Sequence, residues 1–171
     1  SSISFNCDGL KDAIRHLITV HSKKHIAFVS GPSSNEDSIN RYNAYREVLR
    51  EFDIPFDKSL YAVGDLSEFS HNAVREIMLN NPDVDAFCFA NDRMAMAGYE
   101  VIAENGRSVG KDIAVVGYDD AVSSMKIEPK LTTVHTDMSY MAYKALEQCI
   151  NCIKTGTRND TVLKSQAVFR E

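Results

Sequence analysis

Four short apolar runs constrain this chain most. Ile26-Ala27-Phe28-Val29, Leu60-Tyr61-Ala62-Val63, Ala86-Phe87-Cys88-Phe89-Ala90 and Ile113-Ala114-Val115-Val116 are continuously apolar, and polar or glycine residues follow each of them. A strand with one wet face alternates apolar and polar residues, whereas these runs do not, so both of their faces must be covered. The segments between them carry apolar residues at helical spacing: Leu10, Ile14, Leu17 and Ile18, then Ile39, Tyr42, Tyr45, Val48, Leu49 and Phe52, then Val74, Ile77 and Met78. A further helix runs from about Asp92 to Asn105-Gly106, a common C-terminal pairing. Buried strands alternating with amphipathic helices predict an α/β fold, a doubly wound parallel sheet flanked by helices. Beyond it we expect a short strand over Leu131–Val134, a long helix over 137–154 closed by Gly156, and an extended tail.

At 171 residues, 44% of them hydrophobic and 25% charged, the chain has material for one domain, or one and a piece. A net charge of −5 argues against a nucleic-acid surface on this chain, without excluding DNA binding by a segment outside it. No run approaches the roughly 18 apolar residues of a membrane helix. Ser1-Ser2-Ile3-Ser4-Phe5 lacks the features of a signal peptide and is expected to be a cut inside a larger protein. Cys88, inside an apolar run, reads as a buried free thiol and points to a reducing cytoplasm. Cys149 and Cys152 lie late in a helix, where the dipole does not favour a thiolate, so a redox role has little support. The five histidines show no metal-ligand spacing. No G-x-S-x-G serine and no glycine-rich phosphate loop is present, and no cofactor is expected.

In open parallel sheets ligands bind beyond the carboxyl ends of the strands. Ser30-Gly31 and the polar loop Ser33–Asp37 follow the first apolar run; Gly64-Asp65 follow the second, Asn91-Asp92 the third, and Gly117-Tyr118-Asp119-Asp120 the fourth. His135-Thr136-Asp137 follow Leu131–Val134. Paired carboxylates and amides suit vicinal hydroxyls, and Arg41 adds a fixed fork of donors. Around an aromatic such as Tyr118 or Phe69, these groups suit a sugar, a nucleoside or a related polar molecule. Asp92 and Asp137 sit at helix starts and are expected to be N-caps. Asn91 and Asp119 are expected to touch ligand.

These residues also carry a resemblance. Phe89-Ala90-Asn91-Asp92-Arg93-Met94-Ala95-Met96-Ala97-Gly98, the stretch Asn105–Asp120, and Pro129–Asp137 resemble successive motifs of the LacI/GalR regulators. Lys24–Pro32 is similar to the family's strand-opening motif. Arg41 with Ala44-Tyr45 resembles its Arg-x-x-Gly-aromatic motif, with alanine replacing glycine. Several motifs in the family's order cover nearly the whole chain.

The resemblance implies an effector-sensing domain of the periplasmic-binding-protein type that does no chemistry. It places Arg41, Asn91 and Asp119 at effector-holding positions, Thr136 at a position that contacts effector in some members, and Asn35 and Asp37 in a contacting loop. Leu66 falls where an aromatic residue can stack on ligand, leaving Phe69 as a substitute. Met96, Met125 and Ile127 fall near a homodimer interface. Residues 1–136 would then be the C-terminal effector-binding subdomain, 137–156 a helix of the N-terminal subdomain, and 157–171 a tail returning to the first. DNA would be reached only through a headpiece absent from this chain. The apolar stripe Ala142, Ala145, Leu146, Cys149, Ile150 and Ile153 would lack its partner sheet, so we expect the helix to pack on a second copy or to rearrange. With half the cleft missing, effector binding by this chain is expected to be weak. A sensor region of a signalling kinase or cyclase, or a periplasmic sugar-binding protein, would use the same module.

Overall fold

The computed structural model describes residues 2–170. In chain order the elements are β1 (Ile3–Phe5), α1 (Asp8–Thr19), β2 (Ile26–Ser30), α2 (Glu36–Glu51), β3 (Tyr61–Val63), α3 (His71–Asn80), β4 (Ala86–Phe89), α4 (Asp92–Glu104), β5 (Ala114–Val116), β6 (Thr133–His135), α5 (Met138–Thr155), β7 (Thr161–Leu163) and β8 (Gln166–Val168).

The apolar runs form one parallel sheet in the order β3-β2-β4-β5. Its centre is dry: Phe28 pairs in register with Tyr61 on one side and Cys88 on the other, and every residue of β2 and β4 is buried. Helices α1 and α2 pack together, as do α3 and α4, which supplies the two apolar layers such strands require. Phe28 stacks on Tyr45, ring centres 5.0 Å apart, and the Tyr45 hydroxyl donates to the Ile26 carbonyl at 2.8 Å. Burial of that phenol pushes its pKa up. β2 leads outward to β3 while β4 leads outward to β5, so the connections reverse between β2 and β4. That reversal is the switch point at which such sheets open a crevice.

The strand β1 was not expected from the sequence. It lies outside the main sheet and pairs in parallel with β7, Ile3 opposite Thr161 and Phe5 opposite Leu163. The rest of the tail returns: β8 lies antiparallel on β6, and isolated bridges from Val116 to Thr132 and from Asp119 to His135 tie β6 to the main sheet. Ser165, between β7 and β8, donates through its hydroxyl to the Asn6 carbonyl at 2.9 Å and accepts from the Gly9 amide at 3.0 Å. A Cβ on Gly9 would lie 2.7 Å from the backbone of Gln166.

Helix α5 keeps its full length and closes on Gly156 in the left-handed conformation. None of its residues is buried. Leu146 and Ile153 are 61% and 85% exposed. The helix has not rearranged to hide its stripe within the chain, so that part of the expectation is corrected.

The helix caps also differ in one place. Asp137 caps α5 as expected, accepting from the Tyr140 amide at 2.8 Å. At α4, however, the cap is Asn91, whose Oδ1 accepts from the Met94 amide at 3.0 Å. Asp92 lies one residue inside the helix, with its carboxylate turned to the β5–β6 loop, because Asn91 already satisfies the helix end.

Candidate functional site

All six sequence-derived ligand positions meet in one cavity of about 340 Å³ at the carboxyl edge of the sheet. Asn35, Asp37 and Arg41 come from the start of α2, Asn91 from the end of β4, Asp119 from the loop after β5 and Thr136 from the end of β6. The cavity therefore straddles the β2/β4 switch point. Its volume lies near the lower end of the about 300–1,000 Å³ usual for small-molecule sites.

Arg41 organises the floor. Its guanidinium carbon lies 3.8 Å over the centre of the Tyr118 ring, and Nη1 donates to the Ala90 carbonyl at the end of β4. Nη2 stands 3.6 Å from Asp119 Oδ1 and 3.8 Å from Asp37 Oδ2. Both carboxylates are more exposed than the arginine, which leaves oxygens free to accept from a guest. Desolvation raises the Asp119 pKa, with Arg41 opposing the rise and Asp37 adding to it. Asn91 is 8% exposed; besides capping α4 it donates from Nδ2 to the Leu66 carbonyl at 2.9 Å. Its side chain thus locks β4 to the loop after β3 as well as facing the cavity. Asn35 caps α2 by accepting from the Ser38 amide at 2.9 Å.

Three backbone positions on this rim have positive φ without being glycine: Leu66 at 64°, Asp119 at 106° and Asp120 at 53°. Such conformations cost energy and collect where a loop must aim side chains.

Some polar residues at strand ends turn elsewhere. Asp65 accepts from the Ser67 and Ser70 hydroxyls at 2.8 and 2.6 Å, and these bonds, Ser70 first, hold its carboxyl down at about 2. Asp120 pairs with Arg170 and with His135 Nδ1. Phe69 is 74% exposed and absent from the cavity wall, whereas Leu66 lines it. Phe69 is therefore no substitute stacking residue here; the positive φ of Leu66 folds that loop so that the aliphatic side chain faces inward.

The sequence reading missed one wall. Ile3, Ser4, Phe5 and Cys7 from β1 and the turn after it, with Met138 and Met141 from α5, also line the cavity. Burial raises the Cys7 thiol pKa. The apolar alternation of Ile3 and Phe5 is the only local signal for β1, and it spans three residues.

Of the interface candidates, Met125 is half-exposed, while Met96 and Ile127 are partly covered. Met94, Val101 and Ile102, on the same helix as Met96, are core residues.

A parallel sheet with a polar cavity at its switch point, lined in part by a strand outside that sheet, defines a ligand-binding domain of the periplasmic-binding-protein type. The chain belongs to that family: the periplasmic binding protein-like domain matches residues 14–171. The HTH-type transcriptional regulator CelR of Thermobifida fusca is 32% identical over 169 residues, covering 97% of this chain and 49% of the relative. The lactose operon repressor of Escherichia coli is 31% identical over 144 residues, covering 84% of this chain and 39% of the relative. The chain thus spans about half the length of such relatives. Among solved structures, a transcriptional regulator CelR–cellobiose complex superposes with a TM-score of 0.95 at 31% identity, over 100% of this chain and 53% of that one. A lac repressor dimer bound to operator and the anti-inducer ONPF gives 0.90 at 29%, over 99% and 59%. Among the described residues no helix is long and apolar enough to cross a membrane.

Proposed function

We propose that this chain is the larger part of the effector-sensing domain of a cytoplasmic LacI-type transcriptional regulator, and that its cavity holds a small polyhydroxylated effector, a sugar or a nucleoside-like molecule. The observation that carries this is the convergence of Asp119, Asp37, Arg41, Asn91, Asn35 and Thr136 in one cavity beside Tyr118 and Leu66. Carboxylates, amides and a guanidinium pair with vicinal hydroxyls, and the apolar wall covers the C–H face of a ring. The relative bound to cellobiose supports a sugar. The reading assigns binding to the site and no reaction.

In this account residues 1–136 are mostly the C-terminal subdomain, 137–156 supply a helix to the N-terminal subdomain, and 157–171 return. The absence of any buried residue on α5 supports this division. The complete regulator works as a homodimer through the face bearing Met96, Met125 and Ile127, with DNA held by a headpiece outside this chain. Effector shifts the population between two subdomain arrangements by binding one of them better. A thermal-shift screen of mono- and disaccharides and nucleosides on the complete regulator tests it. One chemical class should raise the melting temperature in proportion to the logarithm of its concentration. A uniformly flat panel would remove the proposal.

A further inference from the structure

Asp119 holds a backbone conformation, φ of 106°, that few non-glycine residues adopt, and its neighbour Asp120 follows at 53°. Two consecutive residues of this kind need something to hold them. Asp92, from the first turn of α4, provides the contacts. It is 1% exposed, lies outside the lining of the ligand cavity, and the loop is wrapped around it. Its amide donates to the Tyr118 carbonyl at 2.8 Å. Its Oδ2 accepts from the Ala121 amide at 2.7 Å. Its Oδ1 accepts from the Thr133 hydroxyl at 2.5 Å. The two left-handed residues are thus bracketed by residues fixed to Asp92. Thr133 Oγ1 in turn accepts from the Asp120 amide at 3.3 Å. At Gly117 a Cβ would overlap Asp92 Oδ1, so the absence of a side chain there is what lets the loop approach the carboxylate.

We propose that Asp92 is a positioning residue for effector recognition: it fixes the 117–121 loop so that Asp119 presents its carboxylate to the cavity beside Arg41, without itself touching ligand. This rests on the effector-site reading for its consequence, but its geometric content stands without a ligand. The side chain accepts two bonds, from a backbone amide and from a hydroxyl, inside a space with little competing water. Burial, opposed by the bonds from Thr133 and Ala121, pushes its pKa up to about 6, which marks how completely the loop encloses it.

The test compares Asp92→Asn, Asp92→Ala and Thr133→Val. Asparagine keeps the volume and can still accept from the Ala121 amide; alanine cannot. In the ligand-free chain, the Asp119 and Asp120 backbone shifts and their amide–Hα couplings report the left-handed conformation. We expect these to be kept in Asp92→Asn and lost in Asp92→Ala, with shifts in β2 and α1 unchanged. In the complete regulator, affinity for the best sugar or nucleoside from the screen should fall at least tenfold in Asp92→Ala and less than threefold in Asp92→Asn. If Asp92→Ala does not fold, Thr133→Val supplies the reading, since it removes the hydroxyl that bonds Asp92 and accepts from the Asp120 amide, and should move the same signals. Unchanged Asp119 signals in a folded Asp92→Ala, or in Thr133→Val where that variant supplies the reading, overturn the proposal whatever the ligand does. Absence of any ligand, with the signals moving as described, counts against the effector reading and leaves the positioning role standing.

Discussion

The guanidinium of Arg41 lies flat over the ring of Tyr118, 3.8 Å from its centre. The tyrosine is 1% exposed, and burial pushes its hydroxyl up to about 12, with Arg41 pulling the other way. Lysine keeps the charge but loses the flat stack and the fixed donor fork. Arg41→Lys is therefore expected to cost about 1–2 kcal/mol of stability, read as a lower urea midpoint with an unchanged slope. A midpoint equal to wild type would show that the stack holds nothing.

The return of the tail depends on close approach between α1 and β8. Any side chain at Gly9 meets the backbone of Gln166 at 2.7 Å and Val134 Cγ1 at 2.8 Å, and backbone cannot step aside as a flexible side chain can. Gly9→Ala should destabilise by about 1–3 kcal/mol. Hydrogen exchange should show earlier opening at β8 and β6 than at β2 and β4. Uniform loss of protection, or none, contradicts this.

Helix α5 presents Leu146 and Ile150 to solvent at 61% and 43% exposure. An apolar stripe of this kind drives association. The chain should sediment as a concentration-dependent mixture, and Leu146→Gln with Ile150→Gln should make it monomeric. Because nothing on α5 is buried, the double variant should change unfolding free energy by no more than about 0.5 kcal/mol. A wild-type chain that stays monomeric across concentrations would sink this prediction.

Asp92 sets a pH dependence whose sign can be worked out. Its folded pKa, about 6, is raised above the ordinary aspartate value of 3.8. The folded state therefore holds the proton more tightly than the unfolded state. Its contribution is full below about pH 4 and is lost as pH rises through about 6. Asp92→Asn cannot titrate there. Its stability relative to wild type should rise, by on the order of 2 kcal/mol, between pH 4 and 7. Urea unfolding of both proteins at several pH values checks it; a difference that does not change with pH would be the contrary result.

Much of this molecule could be read before folding it. The continuous apolar runs gave β2 through β5 because strands buried on both faces leave no polar alternation, and the carboxyl edge of a parallel sheet brings Asn35, Asp37, Arg41, Asn91, Asp119 and Thr136 to one place. What could not be read depends on distant partners. β1 exists because Ile3–Phe5 meets Thr161–Leu163, a pairing across almost the whole chain with no local signature. Asn91 and Asp92 are adjacent and chemically alike, so spacing alone could not say which one caps α4 and which one anchors the next loop. The resemblance offers Phe69 as a substitute for the aliphatic Leu66, because an aromatic residue can stack on ligand at that wall, yet Leu66 lines the cavity and Phe69 is exposed.

The central claim is that Asp119 and Arg41 form the recognition floor of an effector site. Isothermal titration of the strongest sugar or nucleoside from the screen, into the complete regulator and its Asp119→Asn variant, tests it most directly. The account predicts one saturable site in the wild type and an affinity at least 100-fold weaker in the variant, at equal melting temperature. Equal affinity in the two proteins would contradict it.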